Sequence, residues 1–307
     1  MPTPVLVTSA AGGQQGATGR LIATLLLKQG IPVRAFVRKV DARADELREE
    51  GAEIFIGDLL NPGSVQEAMK DVRRAYFTYP VADGLMDAAT IFAAMARNQG
   101  LELVVNNSQF QDTPADAFFR DLVSAPTRRN LQHRLTDRIF DWAQVGAVHI
   151  QAPPYYENVR ALVSRTVAEK DTVFLPWSTG DARFPLAGAQ DVARVAATLL
   201  ASASLPSGKV YPLVSEALTV HQIVETLSKV LGRQLKYVPI TDEQWADAVK
   251  ERINAHAVDH LSHLWQYFRT REHQSVPTNI IHEVTGRNPQ TLEEFFQANV
   301  RSFNPAK

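Results

Sequence analysis

Val5-Leu6-Val7-Thr8, then Gly13-Gln14-Gln15-Gly16-Ala17-Thr18-Gly19, then Arg20 to Gln29 and Val33 to Val37: the reading of this stretch decides the fold. The opening run is apolar and β-prone. The glycines behind it stand at G-x-x-G-x-x-G spacing. Leu21, Ile22, Leu25 and Leu26 then share one face of a helix that Gly30 closes, and Val33 to Val37 reads as the next strand. A strand, a glycine-rich turn, a helix and a second strand form the unit that holds a dinucleotide. Glycines let the backbone approach a pyrophosphate, and the helix N-terminus supplies unpaired N–H groups and a partial positive charge. Gly13, Gln15, Gly16, Ala17, Thr18 and Gly19 are therefore the expected pyrophosphate contacts. Ser9 to Gly12 separate the strand from these glycines, so the loop is longer than the usual turn.

Arg38 ends the second strand, where the adenosine ribose is read. An acidic residue there would accept hydrogen bonds from the ribose hydroxyls of NAD. An arginine suits the 2′-phosphate of NADP, and Lys39 adds a second charge. Asp41 is the counter-signal. The expected cofactor is NADP (NADPH).

Strand and helix signals alternate onward to about residue 200. Glu53 to Ile56, Ala75 to Phe77, Leu101 to Val105 and Val148 to Gln151 read as strands. Ser64 to Met69, Leu85 to Gln99 and Asn130 to Gln144 read as helices. The pattern predicts an α/β fold with a doubly wound parallel sheet and ligands at the carboxyl ends of its strands. The residues expected there are Asp58 and Leu59 after the third strand, and Thr78, Tyr79 and Pro80 after the fourth. Ser108 follows the fifth, and Pro153 and Tyr155 the sixth. Beyond Pro153 the chain reads as mainly helical, with short strands at Val210 to Leu213 and Leu235 to Val238. The expected division is a nucleotide-binding domain over 1–153, with a returning segment near 188–215, and a smaller substrate-side domain over 154–307.

Composition narrows the function. The chain has 307 residues, 45% of them apolar and 21% charged, with a net charge of −1. That balance carries no nucleic-acid footprint and no polybasic membrane segment. It has no cysteine, which excludes thiol catalysis, disulfides and thiolate metal sites. No secretory signal and no membrane-length apolar run are visible, so the expectation is a cytoplasmic protein that meets neither nucleic acid nor membrane.

Gly16-Ala17-Thr18-Gly19, Val33 to Arg38, Gly57-Asp58-Leu59, Tyr156-Glu157-Asn158 and Leu218 to Ile223 resemble the NmrA-like family of atypical short-chain dehydrogenases. So do Leu231-Gly232-Arg233 and Tyr237-Val238. The resemblance spans nearly the whole chain. It implies a Rossmann domain, a smaller C-terminal α/β domain and an NADP cofactor. It leaves two functions open: reduction of a quinone, dye or phenolic compound, or NADP sensing without chemistry and with a regulatory protein partner. A small-molecule substrate follows from the first, and a homodimer is compatible with either.

Ordinary short-chain dehydrogenases carry tyrosine and lysine four residues apart, so that the lysine lowers the tyrosine pKa. No tyrosine here has that partner. Many NmrA-like members instead keep a lysine four residues before an acidic residue on the helix after strand five. On that pattern His133 occupies the lysine position and Asp137 the acidic one. His133 is thus expected to donate a proton or bond the nicotinamide ribose. Ser108 is expected to orient a carbonyl, and Tyr156 to stack on an aromatic substrate or pack in a core. His256, His260 and His263 share a helix face, but no carboxylate pattern completes a metal site there, and no metal is expected.

Overall fold

The apolar runs of the first half become a parallel sheet whose central strands are buried on both faces. The computed structural model describes residues 3–13, 17–80, 82–110, 131–177, 182–206, 208–270 and 275–304. Seven strands pair in parallel in the order β3-β2-β1-β4-β5-β6-β9. They are β1 (Val5–Val7), β2 (Val33–Val37), β3 (Glu53–Ile56), β4 (Arg74–Phe77), β5 (Leu103–Gln109), β6 (Val148–Ala152) and β9 (Val210–Pro212). The order reverses between β1 and β4. The connections there leave in opposite directions, which opens the crevice where an open α/β sheet takes its ligand.

The helices in chain order are α1 (Thr18–Lys28), α2 (Ala42–Glu49), α3 (Pro62–Ala68), α4 (Leu85–Gln99), α5 (Gln132–Ala143), α6 (Tyr156–Lys170) and α7 (Ala189–Ala201). The chain forms two compact units. The first comprises Met1–Ala152, Ala189–Leu213 and Ile280–Arg287. In it α1 packs with α7, while α4 packs with both α3 and α5. Leu6, Phe36, Phe77 and Val104 from the sheet meet Val65, Met69, Phe92 and Phe140 in one buried cluster. The Phe77 ring lies 4.9 Å from Phe92 and 5.1 Å from Phe140, edge-on to the latter. Removing one such ring costs roughly 3–5 kcal/mol. Side chains alternate along a strand, so Asn106 and Ser108 share the Val104 face of β5. That face is turned toward α5, and this parity builds the site.

The second unit comprises Pro153–Gly188, Val214–Asn279 and Asn288–Lys307. Its strands β7 (Thr172–Leu175) and β11 (Lys236–Pro239) pair in parallel, and β8 (Phe184–Leu186) pairs antiparallel with β10 (Glu216–Leu218). Of the remaining helices among the described residues, α8 (Val220–Leu231), α9 (Asp242–Val249), α10 (Ala255–Thr270) and α12 (Leu292–Ala298) belong here, whereas α11 (Ile280–Thr285) belongs to the first unit. Threonines at 219, 241 and 291 cap α8, α9 and α12 in capping boxes with Gln222, Gln244 and Glu294. The core is aromatic: Trp177, Phe184, Trp245, Trp265, Phe268, Phe295 and Phe296.

The structure adds elements that sequence periodicity does not announce. The helix α2 buries only Ala44 and Leu47. The helix α6 buries Val159, Val163 and Val167, a four-residue spacing hidden behind the proline–tyrosine run that precedes it. β5 also runs four residues past Val105, to Gln109, so Ser108 lies inside the strand and not in a turn after it.

Candidate functional site

The pyrophosphate end rests on the approach of α1 to β1. A Cβ placed on Gly19 would lie 2.5 Å from the Thr8 carbonyl oxygen, closer than any side chain tolerates. Glycine there lets the helix begin directly above the strand. Ala17, in the left-handed region at φ 51°, precedes α1 and gives it no side-chain cap, and no acidic residue enters the first turn. Among the described residues the first N–H groups of α1 have no side-chain cap, as an anion site requires. Thr18 turns the other way and shares a 2.8 Å hydrogen bond with the Tyr76 hydroxyl. The spacing template and the backbone disagree about the turn. Gly13 has open space where its Cβ would stand, whereas Gly12 takes φ +76°. Gln15 and Gly16 lie outside the described residues.

Beside this turn lies a cavity of about 290 Å³. Its buried lining is Phe36, Val37 and Leu59, and its rim carries Arg38, Lys39, Asp41, Arg43, Asp58 and Leu60, with Tyr79 and Pro80 also lining it. An apolar floor under a cationic rim matches an adenosine that carries a phosphate. Charge pairing decides which cations are free. Arg43 is held by Asp41 at 2.6 Å and donates to the Gly12 carbonyl at 3.0 Å. The hydrogen bond from Arg43 holds the Asp41 carboxyl below its ordinary range. Among the described residues Arg38 and Lys39 have neither ion pair nor hydrogen bond, and both are exposed. Arg43 was not anticipated from sequence; the available signal was a second arginine in the first turn of the helix after Arg38.

Thr78 closes the crevice floor: its N–H donates to Thr8 Oγ1 at 2.9 Å, and that hydroxyl donates back to the Thr78 carbonyl at 3.0 Å. Asn107 donates to Thr78 Oγ1 at 3.3 Å. The Tyr79 hydroxyl donates to the Asp83 carbonyl, and burial pushes its pKa up.

A third group was not foreseen as a unit. Ser108 Oγ donates to Asp137 Oδ2 at 2.9 Å, and Asn106 Nδ2 donates to Asp137 Oδ1 at 2.8 Å. The second amide hydrogen of Asn106 points to His149 Nδ1 at 3.1 Å. His149 therefore accepts at Nδ1 when neutral and keeps its proton on Nε2, which faces Asp141 Oδ1 at 3.2 Å. Ser108 is 4% exposed and His149 2%. Burial raises the Asp137 carboxyl from 3.8 to about 6, against the opposing charge of His149 and the Ser108 hydrogen bond. Sequence separation concealed the cluster: β6 lies beside β5 with Asn106 opposite His149, and α5 brings Asp137 over both.

The other expected residues distribute as follows. His133 is half-buried on α5, one turn before Asp137. Pro153 and Tyr155 belong to the second unit, where Tyr155 caps α6 and its N–H donates to Asn158. Tyr156 offers no face for stacking on a substrate and is corrected to a core residue. It is fully buried, donates to Glu216 Oε2 at 2.6 Å, and has its pKa raised by burial. Among the described residues no cluster of histidines and carboxylates converges on a metal position, and no helix is long and apolar enough to cross a membrane.

Comparison with known proteins agrees with this fold. Residues 13–203 match the sequence profile of the NAD(P)H-binding family, and residues 146–296 that of the NmrA-like family. The NAD(P)H azoreductase of Xenophilus azovorans is 23% identical over 296 residues, which cover 96% of this chain and 98% of that protein. Triphenylmethane reductase of Citrobacter sp., complexed with NADP(H), superposes with a TM-score of 0.77 at 19% identity, over 96% of this chain and 99% of that one. NmrA, a negative transcriptional regulator in complex with NADP, superposes with a TM-score of 0.73 at 15% identity, over 97% of this chain and 95% of that one. At these identities the two solved structures share the fold of this chain.

Proposed function

The chain belongs to the NAD(P)H-binding family in its NmrA-like form, and on that premise we propose that it is an NADPH-dependent reductase of a small aromatic or quinoid acceptor. The observation that carries the chemistry is the Ser108 hydroxyl held by a buried carboxyl near the carboxyl end of β5. Burying a titratable group costs stability, and binding a nucleotide does not require it. When bound, the cofactor supplies the hydride. The protein's part is to bind, orient and exclude water. Arg38 and Lys39 take the 2′-phosphate, and the start of α1 takes the pyrophosphate. Thr78, Tyr79 and Pro80 line the path onward, and His133 stands in for the family's lysine at the nicotinamide ribose. The azoreductase and the triphenylmethane reductase support an acceptor of the extended aromatic class.

A second reading, an NADP-sensing protein without chemistry, draws on His133 itself, which replaces the family's lysine. Both readings are tested by titrating NADPH and then following its oxidation with quinones, azo dyes, triphenylmethane dyes and aromatic aldehydes. Tight binding with oxidation that depends on acceptor supports the reductase. Tight binding without turnover supports the sensor.

A further inference from the structure

Hydride transfer to a neutral acceptor leaves a negative charge that a proton must meet. The chain lacks the tyrosine–lysine pair that serves this need in ordinary short-chain dehydrogenases. Tyr156 is committed to the core. Resting on the reductase reading, we propose that Ser108, Asp137 and His149 form a buried proton reserve that supplies this proton, with the Ser108 hydroxyl as its outlet.

The hydrogen bonds give the switch. While Asp137 is a carboxylate, the Ser108 hydrogen is spent on Oδ2 and cannot reach an acceptor. Once Asp137 carries a proton on Oδ2, it donates to Ser108 Oγ and frees the serine hydrogen for the acceptor. His149 Nδ1 lies 3.4 Å from Asp137 Oδ1, so the ring bears directly on the carboxyl. Asp141 fixes the ring by accepting from Nε2. The remaining charges near the reserve are Arg138, 3.5 Å from Asp141, and Lys209, which also acts on Asp141. β5 contributes only the neutral Asn106 and Ser108. Asp137 and His149 are positioning residues that act through Ser108.

The balance is complete for an azo acceptor. With NADPH bound, a hydride with its two electrons would reach one nitrogen of the dye. The N=N π bond opens, and the second nitrogen takes the Ser108 proton. Serine regains its proton from Asp137, and the products are NADP⁺ and a hydrazo compound. The reserve is refilled from water by the reverse path after product leaves. A cationic triphenylmethane dye differs, because hydride addition to its central carbon yields the neutral leuco dye and no proton is needed.

That difference is the test. Asp137→Asn keeps the hydrogen-bonding shape but cannot release a proton. It should lower kcat for a neutral azo dye by roughly 30-fold or more while changing kcat for a cationic triphenylmethane dye less than about twofold, at equal NADPH affinity. Ser108→Ala should show the same split. Equal losses on both dyes, or no loss on either, would overturn the proposal. A readout without turnover separates this from failure of the reductase reading. Infrared spectra of the wild-type protein should show a protonated-carboxyl band that titrates near pH 6, where Asp137 is expected to lose its proton. The band should vanish in Asp137→Asn. It should persist to higher pH in His149→Gln, because His149 opposes the rise. If wild type oxidises NADPH with neither dye, the reductase reading fails and the band alone decides. A band whose titration midpoint His149→Gln leaves unmoved removes His149 from the reserve and overturns the proposal.

Discussion

The rim around Arg38 and the cluster around Asp137 lie in the same unit and are built on opposite terms. Arg38 and Lys39 are exposed and, among the described residues, unpaired; each stands on one strand end and awaits a charge from outside. Ser108, Asn106, Asp137 and His149 are buried and hydrogen-bond to one another across two strands and a helix, with only the Asn106 carbonyl oxygen of the four side chains left without a partner among the described residues. An exposed cation is solvated whether or not a ligand is present, so losing it changes affinity and leaves the fold alone. A buried polar cluster is stable only when complete, so losing a member changes the fold first. The difference separates a surface that recognises from an interior that holds a titratable group.

Asp137→Ala should break that contrast most visibly if it is wrong. It strips the acceptor from Ser108 and Asn106 and the facing carboxylate from His149. Leaving buried partners unsatisfied costs roughly 3–5 kcal/mol, seen as a large drop in the thermal midpoint. Asp137→Asn should cost much less. If alanine is as well tolerated as asparagine, the cluster is not the closed unit its distances describe.

The same carboxyl gives the next largest effect. Folding raises Asp137 from 3.8 to about 6, so between those values the native state binds a proton that the unfolded chain has released. Stability attributable to this group is therefore present below pH 3.8 and falls as pH rises through 6. The slope is about 1.4 kcal/mol per unit, or a total of ~3 kcal/mol. Denaturant midpoints of wild type and Asp137→Asn across pH 4 to 7 should converge at the acid end and separate toward neutrality. Parallel curves would mean that Asp137 is ionised throughout.

At the rim, Arg38→Ala should leave the thermal midpoint unchanged. It should weaken NADPH by roughly 10- to 100-fold while changing NADH little, because the lost bonds are charge-assisted and reach only the 2′-phosphate. Equal losses for both nucleotides would take Arg38 away from the phosphate and leave the cavity to the adenine ring.

The two regions differ in the same way in how far sequence reveals them. The rim follows from local order. Val33 to Val37 reads as a mostly apolar, buried strand, and whatever follows its last residue must stand at the carboxyl edge. The cluster follows from topology. Asn106, Asp137 and His149 become neighbours only because β6 is laid beside β5 and α5 crosses above them. Nothing in the spacing of asparagine, aspartate and histidine along a chain encodes that. Local templates also fail in detail. The glycine spacing points to Gly13, yet the backbone turn that needs glycine falls at Gly12, because the loop after β1 is longer than the template assumes. Tyr156, after a proline pair, reads equally as a stacking surface or a core residue; it opens α6 and is drawn inward with Val159 and Val163.

Asp41 offers the finest probe of the rim. It does two things: its carboxylate accepts from the N–H groups of Arg43 and Ala44 at the start of α2, and it holds the Arg43 guanidinium. Asn caps a helix about as well as Asp, so Asp41→Asn should leave α2 and the thermal midpoint unchanged. It removes a negative charge beside the expected 2′-phosphate and releases Arg43 toward it. NADPH should then bind roughly 3- to 10-fold tighter at low ionic strength, NADH about as before, and the gain should shrink as salt is added. A salt-independent gain shared by both nucleotides would be a packing effect in the cavity. A loss of NADPH affinity would mean that the bond from Arg43 to the Gly12 carbonyl needs Asp41 to hold it, and that the exposed rim has a built part after all.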